Sequence, residues 1–197
     1  MHGKVLFFSV MIIFSFFTCL FFPSSSSAAI SDSEFIEICR TGSLDEINEA
    51  LMTGVNVDAR SSNRDDTAIM VAAANNPNPK VISALIQAGA IISRRNSFEE
   101  TPLIHAARYN MNNQAVKEII KILVNAGEDV NVKDGSGRTP VFCAAEVGSP
   151  EAVLALLDLG ADAKILDTYG RRALDVAEIR KEFRNTDALR KLREASQ

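Results

Sequence analysis

Thr139-Pro140-Val141-Phe142-Cys143-Ala144-Ala145-Glu146-Val147-Gly148-Ser149-Pro150 holds two helix starts and one helix stop. Thr139 is a residue type whose hydroxyl can take up a free N–H at a helix start, and Pro140 suits the first turn, where no N–H is needed. Ala144 and Ala145 are small enough to let a second helix or a neighbouring unit approach closely. Gly148 can enter the left-handed conformation that ends a helix. Ser149 and Pro150 then repeat the cap-and-proline signal. Behind them Val153, Leu156 and Leu157 recur at i, i+3 and i+4 as one apolar stripe, which Gly160 closes. The unit from Asp134 to Gly160 therefore reads as helix, reversal, helix. Ala161 to Arg172 is an extended turn leading into the next cap.

The same plan recurs along the chain. Glycines at 54, 89, 127 and 160 are each followed by a helix start, at Thr67, Thr101, Thr139 and Arg172, spaced 34, 38 and 33 residues apart. Such a period marks a stacked array in which each unit buries its apolar face only against its neighbours. The second unit reads Thr67 to Ala73, reopens at Asn78-Pro79, and continues through Val81, Leu85 and Ile86. The third reads Thr101-Pro102-Leu103-Ile104-His105-Ala106-Ala107 and runs to Gly127. Its longer spacing places about four extra residues, roughly one turn, in the second helix, so that Val116, Ile119, Ile120 and Leu123 stay on one face. The array is all-α, with about five stacked helix–turn–helix units near 31–60, 61–95, 96–133, 134–166 and 167–197.

The end units differ from the rest, as they must to face water. In the first, Ser33 and Glu34 stand where Thr-Pro would, with Phe35, Ile38 and Leu44 as core. In the last, Ala173-Leu174-Asp175-Val176-Ala177 gives way to a charged stretch containing Arg180, Lys181, Arg184, Arg190, Lys191 and Arg193. Cations suit a helix C-terminus, and the stretch reads as a solvated cap rather than a basic patch.

Thr101-Pro102-Leu103…Ala106-Ala107, Thr139-Pro140-Val141…Ala144-Ala145, Gly160-Ala161-Asp162 and Asp129-Val130-Asn131 resemble the ankyrin repeat. The resemblance covers about residues 31 to 197. It implies a solenoid with protruding β-turn tips and a role in binding proteins through the tips and the inner helices. One departure stands out. The family usually carries His two residues after the proline, tying neighbouring turns together. Met70, Ile104 and Phe142 occupy those places here, which predicts more loosely tied turns.

Ahead of the array, Val5 to Phe22 is apolar and uncharged, preceded by Lys4 and followed by Pro23, serines 24–27 and Ala28-Ala29. A basic start, an apolar run and small residues describe a secretory signal peptide, residues 1–29, cleaved after Ala29. The alternative is an uncleaved membrane anchor, because the run approaches the ~20 residues of a bilayer span. Export to the periplasm or the extracellular space follows from the first reading, and a membrane-tethered scaffold from the second.

The whole chain carries a net charge of −4, and without Lys4 the remaining 20 basic and 25 acidic residues give −5. A mildly acidic domain lacks the clustered Lys and Arg that nucleic acid requires. Cys39 and Cys143 lie three repeats apart, too far to bridge, and read as small buried hydrophobes in a monomeric stack. No His/Cys spacing suits a metal and no motif calls for a cofactor or a catalytic role. Asp65-Asp66 and Glu99-Glu100 read as solvated turn charge. His105, the one histidine of the array, reads as a packed or hydrogen-bonded residue. A thiol enzyme using Cys143 and His105 at equivalent helix positions is the remote alternative, against which stands the apolar register of Val71 and Val176.

The predicted chemistry is adhesive. Interface energy concentrates in aromatic and arginine anchors. At turn tips and inner-helix ends these are Arg64, Phe98, Arg108, Tyr109, Arg138, Tyr169 and Arg171, the candidate contacts for a protein partner.

Overall fold

The computed structural model describes residues 29–197. The predicted leader lies outside these residues except for Ala29. Ten α-helices form five pairs: α1 (Asp32–Thr41) with α2 (Leu44–Met52), α3 (Ala68–Asn75) with α4 (Pro79–Gln87), α5 (Pro102–Tyr109) with α6 (Asn113–Asn125), α7 (Pro140–Val147) with α8 (Pro150–Asp158), and α9 (Ala173–Ala177) with α10 (Asp187–Ala195). No helix among the described residues is long and apolar enough to cross a membrane.

The odd-numbered helices pack in sequence against one another as an inner layer, and the even-numbered helices do the same outside them. Composition follows position. The inner helix α3 is buried from Ala68 to Ala74, apolar around its whole circumference because it is covered by α1, α4 and α5. Alanines 72, 73, 106, 107, 144 and 145 are essentially inaccessible and set the close approach of successive repeats. The outer helices bury one stripe each: Val81, Ile82 and Leu85 in α4, and Ala152, Val153, Ala155 and Leu156 in α8. Helix α6 has 13 residues against nine in α4 and α8, so the long third spacing is one added helical turn, with Val116, Ile119, Ile120 and Leu123 all buried.

Local signals act at most boundaries. Asn78, Asn112 and Ser149 cap α4, α6 and α8 through their side chains, and Gly148 ends α7 at φ +83°. Two expectations fail at the inner-helix starts. Thr101 and Thr139 occupy the N-cap with extended backbone, yet neither hydroxyl accepts a cap bond; the buried hydroxyl of Thr67 has no partner, and that of Thr101 turns to the Glu128 carboxylate. The Glu128 carboxylate, from the loop after α6, takes the freed N–H of Leu103 at 3.1 Å, and Met70 Sδ reaches back to the N–H of the N-cap residue Thr67 at 3.4 Å. The first helix starts earlier than aligned, because Ser31 rather than Ser33 caps it by accepting from the Glu34 N–H.

The turns are also better tied than the missing histidines imply. Backbone bonds link successive tips directly, Ser97 N–H to Arg64 O, Gly135 N–H to Phe98 O, and Thr168 N–H to Ser136 O, at 3.0–3.1 Å. Side chains add to them. Asn76 and Asn110, at the ends of α3 and α5, donate to Cys39 O and Ala73 O of the preceding repeat, at 3.1 and 2.8 Å. Main-chain bonding between tips needs no histidine.

The last unit closes the stack. After the short α9, a 3₁₀ turn (Lys181–Phe183) buries Phe183, and α10 covers α8 and α9 with Ala188 and Leu192. Three of the six cations of the stretch, those on α10, are paired: Arg190 with Asp187 and Glu194, Lys191 with Asp158, and Arg193 with Glu178. The stretch is a solvated cap.

Candidate partner-binding face

Three of the four tips are built around one side chain that accepts two backbone N–H groups, whereas in the second repeat Ser61 Oγ accepts only that of Asp66. Asn96 Oδ1 accepts from Phe98 and Glu100, Asp134 Oδ1 from Ser136 and Arg138, and Asp167 Oδ1 from Tyr169 and Arg171. The fourth residue of the turn takes positive φ. Glycine supplies it at 137 and 170, whereas Glu99 and Asp65 adopt it near +60° without that freedom. This geometry lifts Phe98 and Tyr169 off the turns, with 56% and 79% of their surface exposed.

The next position points inward, and there the acids of the second and third tips correct the sequence reading. Asp65 and Glu99 face solvent, but Asp66 and Glu100 are buried. They converge on His105, whose Nε2 lies 3.3 Å from Asp66 Oδ1 and 3.2 Å from Glu100 Oε2. The Asn96 amide joins them, 2.6 Å from Asp66 Oδ1. Burial tends to raise both carboxylates, yet hydrogen bonds from His105 and Asn96 and nearby guanidinium charge overcome it. Asp66 is held below its ordinary value, and Glu100 is brought down to about 2. Burial works against a charged His105, but the two carboxylates outweigh it and raise its pKa above the usual 6.5.

Five of the seven predicted contacts, Arg64, Phe98, Arg108, Tyr109 and Arg138, fall in this one cluster, and all but Phe98 are occupied internally. Arg64 donates to Glu100 Oε2 at 2.6 Å and to the Tyr109 hydroxyl at 3.0 Å, and its guanidinium lies 4.8 Å from the centre of the Phe98 ring. Tyr109 also packs edge-on against His105. Arg108 is mostly buried, bound to Glu100 (3.2 Å), Asp134 (2.9 Å) and Cys143 Sγ (2.9 Å) and 3.6 Å from Glu146. Arg138 pairs with Asp134 and Glu146. Tyr169 and Arg171 stand apart on the last tip, where Arg171 is salt-bridged to Asp167 and lies over the Phe142 and Tyr169 rings at 5.3 and 5.4 Å.

Two clefts flank the Arg64–Tyr109 contact. One, of about 460 Å³, runs between the third and fourth tips, lined by Phe98, Arg108, Ser136 and Arg138. The other, of about 230 Å³, opens over Val71 and Ala74 beside Arg40 and Asn75. Both belong to the face formed by tips and inner-helix ends.

His105 and Cys143 are engaged with different partners. The imidazole spends Nε2 on the carboxylates, while burial pushes the Cys143 thiol up to about 12 even with Arg108 against it. Cys39 is likewise pushed up to about 12 by burial. Neither thiol is poised as a nucleophile. No cluster of potential metal ligands occurs among the described residues.

The buried network went unread in the sequence, although a signal existed. At one repeat position Asp66 and Glu100 are succeeded by Arg138 and Arg171, and Arg108 stands one repeat before Glu146. Complementary charge in a fixed register of stacked repeats points to pairing across repeats rather than to solvent.

A stack of helix pairs with tied turns and exposed aromatic tips defines a repeat-built binding scaffold. The family model for ankyrin repeats in three copies matches residues 35–134 and 111–196, and the chain belongs to that family. Protein phosphatase 1 regulatory subunit 12A of Mus musculus is 43% identical over 61 residues, 31% of this chain and 6% of that protein. Zinc finger CCCH domain-containing protein 24 of Oryza sativa is 41% identical over 102 residues, 49% of this chain and 13% of that protein. Ankyrin repeat, SAM and basic leucine zipper domain-containing protein 1 of Dasypus novemcinctus is 29% identical over 128 residues, 65% and 26% of the two chains. The chain thus spans about a quarter or less of the length of these relatives. Ankyrin repeats bind protein partners, and that general role is this chain's.

Proposed function

We propose that the chain is an exported, non-enzymatic adaptor or inhibitor that grips one protein partner with its turn tips. The observation that carries this reading is the pair of exposed aromatics, Phe98 and Tyr169, each held over a guanidinium already fixed by a carboxylate. An aromatic ring fixed before the partner arrives loses little rotamer freedom on binding, which is the property of an interface anchor. Arg64 and Arg171 set these rings, Arg108, Tyr109 and Arg138 belong to the network that holds the turns behind them, and the exposed edges of Arg64 and Arg171 contribute directly. Export rests on the composition of the first 29 residues.

The test is a crosslinking capture from the native compartment with the native chain beside a Phe98→Ala, Tyr169→Ala double variant. A partner held by the native chain and lost by the variant supports tip binding, whereas equal capture by both overturns it. The N-terminus of the natural protein decides the address: Ile30 marks a cleaved, exported chain and Met1 a tethered one.

A further inference from the structure

His105 sits where the turns of two repeats meet. It bonds Asp66 of the turn before α3 and Glu100 of the turn before its own helix, and only 3% of it is exposed. The fold does not demand an ionisable group there, since the same register holds Val71, Cys143 and Val176 in the other inner helices. We propose that the third repeat carries a pH-responsive joint: protonated His105 locks the second tip to the third, and loss of that proton frees the Phe98 tip.

The charges around the imidazole give the direction. Asp66 and Arg64 face it from the preceding turn and Glu100 from its own. Tyr109 and Arg108 extend from α5, with Arg108 shared between Glu100 and, on the next repeat, Asp134, Glu146 and Cys143. Arg40 of α1 lines the same cleft but is paired with Glu37, and Glu128, behind α5, adds its own field. Two buried carboxylates thus share His105, Arg64 and part of Arg108. Removing the imidazolium charge leaves Asp66 and Glu100 repelling each other across the repeat boundary. Asn96 carries the change outward, because its amide touches both carboxylates and the imidazole while its oxygen holds the Phe98 and Glu100 N–H groups.

The folded imidazole binds its proton more tightly than the unfolded one. The lock is therefore complete below about pH 6.5, the ordinary histidine value, and is lost as pH rises through the folded value above it. The joint operates whether or not Phe98 is a partner anchor.

The experiment is a pH series on the full chain, from 5.5 to 9, reading imidazole shifts by NMR and exchange protection of the Phe98 and Glu100 amides. His105→Gln assigns the His105 signal against that of His2. The expected result is a His105 midpoint above 6.5, with protection at both amides falling about tenfold per unit of pH between the unfolded and folded midpoints. In His105→Gln protection at both amides is expected to fall less than in the native chain, by no more than the part that Glu128, pushed up to about 7, gives both chains. A midpoint at or below 6.5 overturns the joint, as does equal loss of protection in native and variant chains. The native titration decides the matter by itself if the variant fails to fold.

Discussion

Arg108 Nη2 lies 2.9 Å from Asp134 Oδ2, an ion pair that joins the inner helix of the third repeat to the turn of the fourth. The Asp134 side chain is 1% exposed and that of Arg108 11%, so the pair is formed inside the stack. Arg108 also neutralises Glu100, at 3.2 Å. Removing it leaves two buried carboxylates short of a partner, the costly way to break a buried pair. Arg108→Ala is expected to lower unfolding stability by about 3–5 kcal/mol in urea titration. Arg108→Lys should recover only part of this, because one ammonium cannot span Glu100, Asp134 and Cys143. A loss below about 0.5 kcal/mol in Arg108→Ala, the scale of an ordinary surface substitution, would return it to the list of free contacts.

Phe98 and Tyr169 should behave oppositely. Both rings are exposed, and the tip backbone is held by Asn96 and Asp167 rather than by the rings. Alanine at either site is expected to move stability by no more than about 0.5 kcal/mol. The same change should weaken partner binding by about 2 kcal/mol, close to thirtyfold in Kd. Calorimetry of binding beside urea unfolding separates the two effects. A variant that lost stability and affinity together would make the ring part of the fold.

What the sequence disclosed and what it concealed divide along one physical line. Caps, prolines, terminal glycines and apolar stripes are local signals, and they located the helix pairs and the extra turn in α6. Pairing across repeats is not local. Asp66 and His105 are 39 positions apart, and Arg108 and Asp134 are 26 apart, so each acid viewed alone resembles a solvated turn residue. The exposed aromatics were legible because their turns are local. Arg108 and Tyr109 share their residue types with interface anchors, and only the neighbouring repeat shows that they are already occupied.

Glu100 gives an acid limb to the stability profile. Hydrogen bonds and charge from His105, Asn96 and Arg108 outweigh burial and hold its carboxyl at about 2, against an ordinary 4.5. A lowered folded pKa stabilises above the unfolded value and is lost as pH falls through the folded one, so the window is about 4.5 to 2. The shift corresponds to about 3 kcal/mol at neutral pH. Glu100→Gln is expected to cost about that much at pH 6 and almost nothing at pH 2, as thermal unfolding in both buffers would report. A cost independent of pH would deny the carboxylate charge its role.

Cys39 and Cys143 offer a chemical check on the packing. Both thiols are buried and pushed up to about 12, so thiolate is scarce at pH 8 and access is closed. Neither should react with a maleimide or a disulfide reagent in the native chain, and both should react at once in denaturant. Rapid native labelling at Cys143 would mean that the α5–α7 contact opens readily.

Glu128 stands where Ala90 and Ala161 follow the corresponding glycines, a carboxylate in a place meant for a methyl group. One oxygen accepts the Leu103 N–H at 3.1 Å, and the carboxylate's other contact is a weak one with the Thr101 hydroxyl. Burial pushes its pKa from 4.5 up to about 7. A raised carboxyl contributes stability in its protonated form, fully present below about pH 4.5 and lost as pH rises through about 7. At pH 8 the ionised group penalises the fold by about 3 kcal/mol relative to pH 4. Glu128→Gln keeps an oxygen for Leu103 and removes the charge, so it is expected to leave stability at pH 4 nearly unchanged and to raise it by about 2–3 kcal/mol at pH 8. Urea midpoints of both chains at the two pH values measure this directly. Parallel profiles would show that Glu128 is ionised and solvated, and that the α5 N-terminus is open to water.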